Sequence, residues 1–240
     1  MGLKDYLETS ISTTLNATWN SRDGQVVPKT GDVALSNGAV KLDAVFLYAD
    51  LFDSTILATT FPHTVAAKVV RIYLSSMSKI IREHGGSIRS FDGDRVMGIF
   101  IGNSKRSDAA KCALRMKWAV DNIVRPMAAK QFPSLVSAGY EIRHCVGIDR
   151  SEVWAVRSGI RGSNDLVFVG AAPNFAAKLS AIRDGYYNTY ITFDIYYYLN
   201  ADSTYKNSIE KTNDMWTPTL VELGGKQEVC YKSAYEWASS

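Results

Sequence analysis

Residues 42–52, LDAVFLYADLF, are the stretch that most limits how this 240-residue chain folds. The run is rich in β-branched and aromatic residues and mostly apolar on both faces. That is the pattern of a central strand covered from two sides, not of an edge strand. A turn through residues 53–62 follows. Val65, Val69, Ile72, Tyr73, Met77, Ile80 and Ile81 then recur at helical spacing until Gly85 and Gly86 stop the helix. SIRSF (87–91) and RVMGIFI (95–101) are two short β-rich stretches around Asp92, Gly93 and Asp94, a hairpin with two carboxylates at its turn. A second helix, capped by Ser107 or Asp108, carries Ala109, Cys112, Ala113, Met116, Ala119, Val120 and Ile123 on one side and is predicted to end at Arg125 and Pro126. EIRHCVGI (141–148) supplies the next strand. The order is βαββαβ, an α+β split sheet with its helices on one face.

Beyond this unit, VWAVRSG (153–159) is placed as a strand beside the last one. LVFVG (166–170) leads into a helix from Ala172 to about Ile182. The aromatic-rich remainder (NTYITFDIYYYLN, LVELG, EVCYKS) supplies one more helix and edge strands. Residues 21–40, with Gly24, Gly31, Gly38 and Pro28 among polar residues, read as an irregular connector after a short N-terminal helix. The chain is therefore divided into a helix and connector over residues 1–40 and a main domain over 41–240.

Composition excludes more than it selects. With 46% hydrophobic and 21% charged residues, the chain has enough apolar material for one core, which sets disorder and coiled-coil readings aside. A net charge of +3 is too weak an excess to announce a nucleic-acid or anionic-membrane partner, and is compatible with a small polyanionic ligand. Cys112, Cys145 and Cys230 are odd in number and widely spaced, which points to buried thiols and not to disulfides or zinc. The opening residues lack a signal-peptide pattern, and Tyr6 stands where a myristoylation signal after Gly2 needs Ser or Thr, so a cytoplasmic protein is expected.

Chemistry concentrates around two aspartates. Asp50 lies near the end of the apolar strand, where an unpaired charge is costly to desolvate and calls for a cation, donors or a solvent-facing pocket. Asp94 stands in the hairpin turn 44 residues on, a separation that fits one helix and two short strands and lets the two carboxylates converge. Two hard oxygen ligands beside room for phosphate suit Mg²⁺ or Mn²⁺, which keep waters and take substrate oxygens as remaining ligands. On spacing alone a second reading stays open, in which the pair serves only turn geometry and solubility. Ser54 and Thr55 in LFDST leave backbone amides free to meet a phosphate, or act simply as caps. His63, His84 and His144 share no ligand spacing and are expected to pack or face solvent.

YADLFDST, RSFDGDRVMGIF and VGAAPNFAAKLS, in that order, resemble the three signature blocks of the class III nucleotidyl cyclases, and the resemblance spans about Leu42 to Tyr231. It implies a ferredoxin-like cyclase catalytic domain with extra C-terminal strands and a helix. It also implies two divalent ions, Mn²⁺ or Mg²⁺, held by Asp50, Asp94 and the Leu51 carbonyl, with Phe52, Asp53, Ser54 and Thr55 beside the substrate. Asn174 matches the residue that contacts ribose from the partner subunit of a homodimer. Lys178 stands where the family has an arginine for the transition-state phosphate, keeping the charge and losing the bidentate fork. Lys226 resembles the late lysine that holds the triphosphate.

Base choice departs from the purine cyclases. Ser90 and Val167 stand where adenylate cyclases resemble one another in Lys and Asp or Thr, and guanylate cyclases in Glu and Cys. Neither residue supplies the purine-specific donor and acceptor set. The chain thus looks like the bacterial antiphage pyrimidine cyclases (Pycsar), which make cyclic UMP or cyclic CMP to activate a separate effector. UTP is the expected substrate, with CTP the alternative. Tyr48, Ser90, Phe91 and Val167 are the expected base-pocket walls. Two rivals remain on the sequence: a non-catalytic ferredoxin-like RNA-binding domain, suggested by five Trp and thirteen Tyr, and an inactive cyclase-like regulatory domain, suggested by Lys178.

Overall fold

The structure, a computed structural model, describes residues 2–238. The chain opens with α1 (Leu3–Asn16), none of whose residues is buried, and β1 (Asn20–Asp23). A short 3₁₀ turn precedes β2 (Gly38–Leu51), α2 (Ser54–Thr60), α3 (His63–Glu83), β3 (Ser87–Asp92) and β4 (Arg95–Phe100). Next come α4 (Lys105–Ala119), α5 (Arg125–Gln131), α6 (Pro133–Ser137), β5 (His144–Ile160), β6 (Ser163–Val169) and α7 (Ala171–Ser180). The chain ends with β7 (Thr189–Thr192), α8 (Phe193–Tyr197), α9 (Ala201–Thr204), the small pair β8 (Tyr205–Asn207) and β9 (Thr212–Asp214), and the hairpin β10 (Thr217–Leu223) and β11 (Lys226–Ser233).

The predicted βαββαβ unit is β2–α3–β3–β4–α4–β5. Its four strands lie side by side in the order β5-β2-β4-β3, all antiparallel. β2 is central, as its two-sided apolar pattern requires. Val45, Leu47, Ala49 and Leu51 face the core shared with α3 and α4, while Val40, Leu42, Ala44 and Phe46 face a second core with Ala172 and Ala176 of α7. Helices therefore cover both faces of the sheet, the two of the βαββαβ unit on one and α7 on the other. β7, β11 and β10 extend the sheet beyond β5. No helix among the described residues is long and apolar enough to cross a membrane.

Several sequence expectations need correction. The 21–40 connector is not irregular throughout, because β1 pairs in parallel with the start of β2 and β2 itself begins at Gly38. The segment after Asp53 is not only a turn but holds α2. VWAVRSG is not a separate strand; it is the later part of β5, which is 17 residues long in all and pairs with β6 from Trp154 on. Arg125 and Pro126 do not end the second helix. A widened turn over Val120–Val124 links α4 to α5 and places Pro126 in the first turn of α5, where its missing N–H leaves no bond unmade. β7 lies inside the sheet between β5 and β11, paired parallel to one and antiparallel to the other.

The three cysteines are free and buried, as expected. His144 is wholly buried, with the Tyr73 hydroxyl 3.4 Å from Nδ1, and burial lowers its pKa to about 3, so it packs as a neutral ring.

α7 approaches the sheet directly over Gly147 of β5. A Cβ at that position lies 2.1 Å from the Ala176 carbonyl oxygen and 2.4 Å from the Ser180 nitrogen, both backbone atoms that no side-chain rotation moves. Gly147→Ala must therefore push α7 off the strand. We expect a loss of roughly 2–4 kcal/mol in urea unfolding, the range of an overpacked core combined with a displaced helix; a variant with wild-type stability contradicts this packing.

Candidate active site

The site is built at the end of β2. Because side chains alternate along a strand, Tyr48 and Asp50 continue the face that Phe46 begins, past the point where the apolar layer against α7 ends. Asp50 pairs in register with Arg95 on β4 and with Cys145 on β5. Asp94, the residue before Arg95 in the Asp92–Asp94 turn, comes one step beyond that last pair, beside Leu51. Gly93 makes the turn possible with a φ of 60°.

The charge of Asp94 is felt at Asp50. The Asp50 carboxyl is held above its usual range, chiefly by burial and further by the negative charge of Asp94, while Arg183 and Arg95 oppose the shift. Both charges also help raise the pKa of the buried Tyr73 hydroxyl, after burial itself. Asp94 makes no ion pair among the described residues, since Arg95 turns to Asp92 at 2.7 Å and lies over the Tyr48 ring at 5.1 Å. No group of three or more His, Cys, Asp or Glu side chains converges among the described residues. Two carboxylates offer too few ligands for an all-protein metal cage, but they fit a hard divalent cation that takes backbone, water and substrate oxygens for the remainder.

The loop after β2 is fixed by its own hydrogen bonds. The Phe52 N–H donates to the Arg143 carbonyl at 2.8 Å, and the Tyr140 hydroxyl donates to the Phe52 carbonyl at 3.2 Å. Asp53 adopts a left-handed conformation (φ 56°), tolerated by Asp, and pairs with Arg143 at 3.4 Å. The first bond of α2 runs from the Leu57 N–H to the Asp53 carbonyl, which leaves the amides of Ser54 and Thr55 outside the helical ladder. Phe52, expected among the substrate contacts, has a committed backbone and a ring only 2% exposed. It supports the loop instead, packing with Leu179 of α7 and Leu223 of β10.

α7 carries Asn174 and Lys178 on its outer side, both exposed, while Ala172, Ala176 and Leu179 face inward. The four-residue step puts the two polar side chains on one face, as the sequence predicts. Lys226 is exposed at the start of β11, and the Gly224–Gly225 turn before it comes against the Phe175 ring of α7, 3.4 Å from a Cβ placed on Gly224.

The expected base-pocket walls do not stay together. Ser90 pairs with Met97, on the face of Tyr48, but Phe91 pairs with Val96, on the face of α3. Phe91 there lines a groove of about 690 Å³ with Ala66, Val70 and Leu74. Val167 points outward from β6 between the buried Leu166 and Phe168. Period-two alternation, applied to the hairpin, would have separated Phe91 from Ser90. The sequence reading also missed Arg183, just past α7, whose Nη2 donates to Asp50 Oδ2 at 3.1 Å. An arginine at a helix end ordinarily caps carbonyls, and nothing in the linear pattern links it to a residue 133 positions away. The RNA-binding alternative loses its platform, because the central strands carry helices on both faces.

No family model matches the sequence. The chain is 40% identical over 235 residues to the uridylate cyclase of Rhodovulum sp. (strain MB263), covering 98% of this chain and 97% of that one. It is 40% identical over 239 residues to the uridylate cyclase of Burkholderia cepacia, covering 99% of each. Among solved structures, the guanylyl cyclase Cya2 superposes with a TM-score of 0.62 at 20% identity, covering 82% of this chain and 94% of the other, which shows a shared fold.

If Ser90 lies on the substrate side and Phe91 does not, Ser90→Ala changes the KM for nucleotide several-fold while Phe91→Ala leaves KM and base preference as they were. Steady-state kinetics on the two variants check this; a base-preference change confined to Phe91→Ala overturns the assignment of faces.

Proposed function

The chain belongs to the uridylate cyclase family and is a nucleotide cyclase, a phosphorus–oxygen lyase, and on that premise we propose that it converts UTP to 3′,5′-cyclic UMP and diphosphate. The observation that carries the reading is the strand register that sets Asp50 opposite Arg95, so that Asp94 follows at the same end of β2 from which the chain enters the loop of Ser54 and Thr55. In the reaction the ribose 3′-oxygen forms a bond to the α-phosphorus, the bond from that phosphorus to the bridging oxygen breaks, diphosphate leaves, and the hydroxyl proton passes to solvent.

Asp50, Asp94 and the Leu51 carbonyl are the residues that would hold two divalent ions, Mn²⁺ or Mg²⁺. Such ions supply Lewis-acid stabilisation of phosphate oxygens and lower the pKa of the attacking hydroxyl. Ser54 and Thr55 offer amides to the phosphates, and Lys226 a point charge to the triphosphate. Asn174 orients the ribose, and Lys178 meets the charge that grows on the phosphate in the transition state. Tyr48 and Ser90 bound the base, with Ser90 able to donate to and accept from a pyrimidine edge.

Asn174 and Lys178 project away from their own body, the disposition required of residues that complete the site of a second chain. A twofold homodimer then holds two equivalent composite sites. The product serves as a second messenger in antiphage defence, read by a separate cyclic-nucleotide-binding effector in the cytoplasm. Neither nucleic acid nor membrane is a partner.

The test is incubation with each of the four ribonucleoside triphosphates and Mn²⁺, followed by mass analysis of products. Cyclic UMP is the expected main product. A CTP preference selects the cytidylate alternative, and an ATP or GTP preference overturns the pyrimidine reading. Asp50→Ala and Lys178→Ala are each expected to abolish or strongly reduce turnover with the fold retained. Mixed in equal amounts under subunit exchange, the two variants regain up to about a quarter of wild-type activity, because half the dimers then carry one intact site. No recovery in mixtures shown to form heterodimers contradicts the shared site.

A further inference from the structure

Arg183 is a cation inside the site that the three sequence blocks do not contain. Its Nη2 donates to Asp50 Oδ2 at 3.1 Å, and this is the ion pair that Asp50 makes; the Asp50 side chain is only 13% exposed. Arg95, directly across on β4, is turned away to Asp92. The rest of the Arg183 head is anchored independently of Asp50. Nη1 donates to the Ser180 carbonyl at 2.9 Å and to the Ile182 carbonyl at 3.3 Å, and the guanidinium lies over the buried Phe52 ring at 4.4 Å. The side chain is 39% exposed, so its remaining edge meets solvent.

With two carbonyl anchors and an aromatic face beneath it, the guanidinium keeps its place when Nη2 lets go of Asp50. A divalent ion, with twice the charge in a smaller volume, outcompetes a single guanidinium arm for that carboxylate. The released fork then stands next to the oxygens that the metal gathers, and a planar guanidinium is the group best matched to phosphate. Lys178 lacks such a fork. Lys178 is exposed on the outer side of α7, whereas Arg183, five residues on, reaches the carboxylate of its own chain.

We infer that Arg183 is the resident counter-cation of Asp50, which holds the carboxylate while the site is empty, yields it to a divalent metal, and then presents its guanidinium to the nucleotide's phosphates. The inference rests on the cyclase reading of the site, in particular on Asp50 as a metal ligand. The role is one of positioning, exerted on the carboxylate first and on the substrate only after displacement.

The experiment measures Mn²⁺ affinity of the full chain without nucleotide, from the electron paramagnetic resonance signal of free Mn²⁺, alongside thermal melts and UTP kinetics. Arg183→Gln is expected to bind Mn²⁺ roughly five- to tenfold tighter, since the internal competitor is gone, and to show a raised KM for UTP with a lowered kcat. Arg183→Lys, which keeps the charge and loses the second anchor, is expected to bind Mn²⁺ about as wild type does and to recover little of the KM. Unchanged Mn²⁺ affinity in Arg183→Gln, with a lowered melting temperature, reduces Arg183 to a structural cap and overturns the inference. Asp50→Asn separates this from failure of the underlying reading. It must abolish Mn²⁺ binding; if it does not, Asp50 is not a metal ligand, and both readings fall.

Discussion

A carboxylate at the end of a buried strand has to be compensated, and the organisation of this molecule follows from how Asp50 is served. The strand is buried because both its faces are apolar, and helices pack on each. At its last polar position the apolar layer stops, so the carboxylate stands at a boundary between core and cleft, where desolvation is partial and neighbouring charges are felt strongly. Asp94 comes to the same boundary because a six-residue strand and a tight Gly93 turn return the chain there. Two like charges so placed raise the cost of being empty and favour whatever cation reaches them, whether Arg183 or a metal.

The second constraint is the close approach of α7. Glycine at 147 lets the helix backbone sit directly on β5, and the cluster of Phe52, Leu179, Leu223 and Cys230 then ties three separate pieces together: the loop after β2, the inner side of α7 and the C-terminal hairpin. That cluster is apolar and carries no chemistry itself. Its effect is to fix the distances between Asp50, Arg183 and the loop that leads into α2.

Much of the fold was legible because the signals were local and repeated. The seven apolar positions of α3, the glycines behind it and the carboxylate-bearing hairpin turn each announce their own element, and their order leaves few ways to arrange a sheet. The errors fall where local signal is weak or is overridden. β1 is four polar residues whose strand character comes from pairing with β2, not from pattern. Pro126 reads as a stop, yet a widened turn accommodates it. Ser90 and Phe91 are both expected at the base from the family resemblance, while the pleat sends them to opposite faces.

The sequence by itself determined the order of the βαββαβ unit, the central strand, the presence of Asp50 and Asp94 at element ends, and the shared face of Asn174 and Lys178, because each depends on spacing within one element or one turn. Tertiary structure alone decided that α7 lies across the face opposite α3 and that Arg183 reaches Asp50. Those outcomes depend on how sheet faces are covered and where one chain end meets another, and no periodicity within a segment records contacts made more than a hundred residues apart.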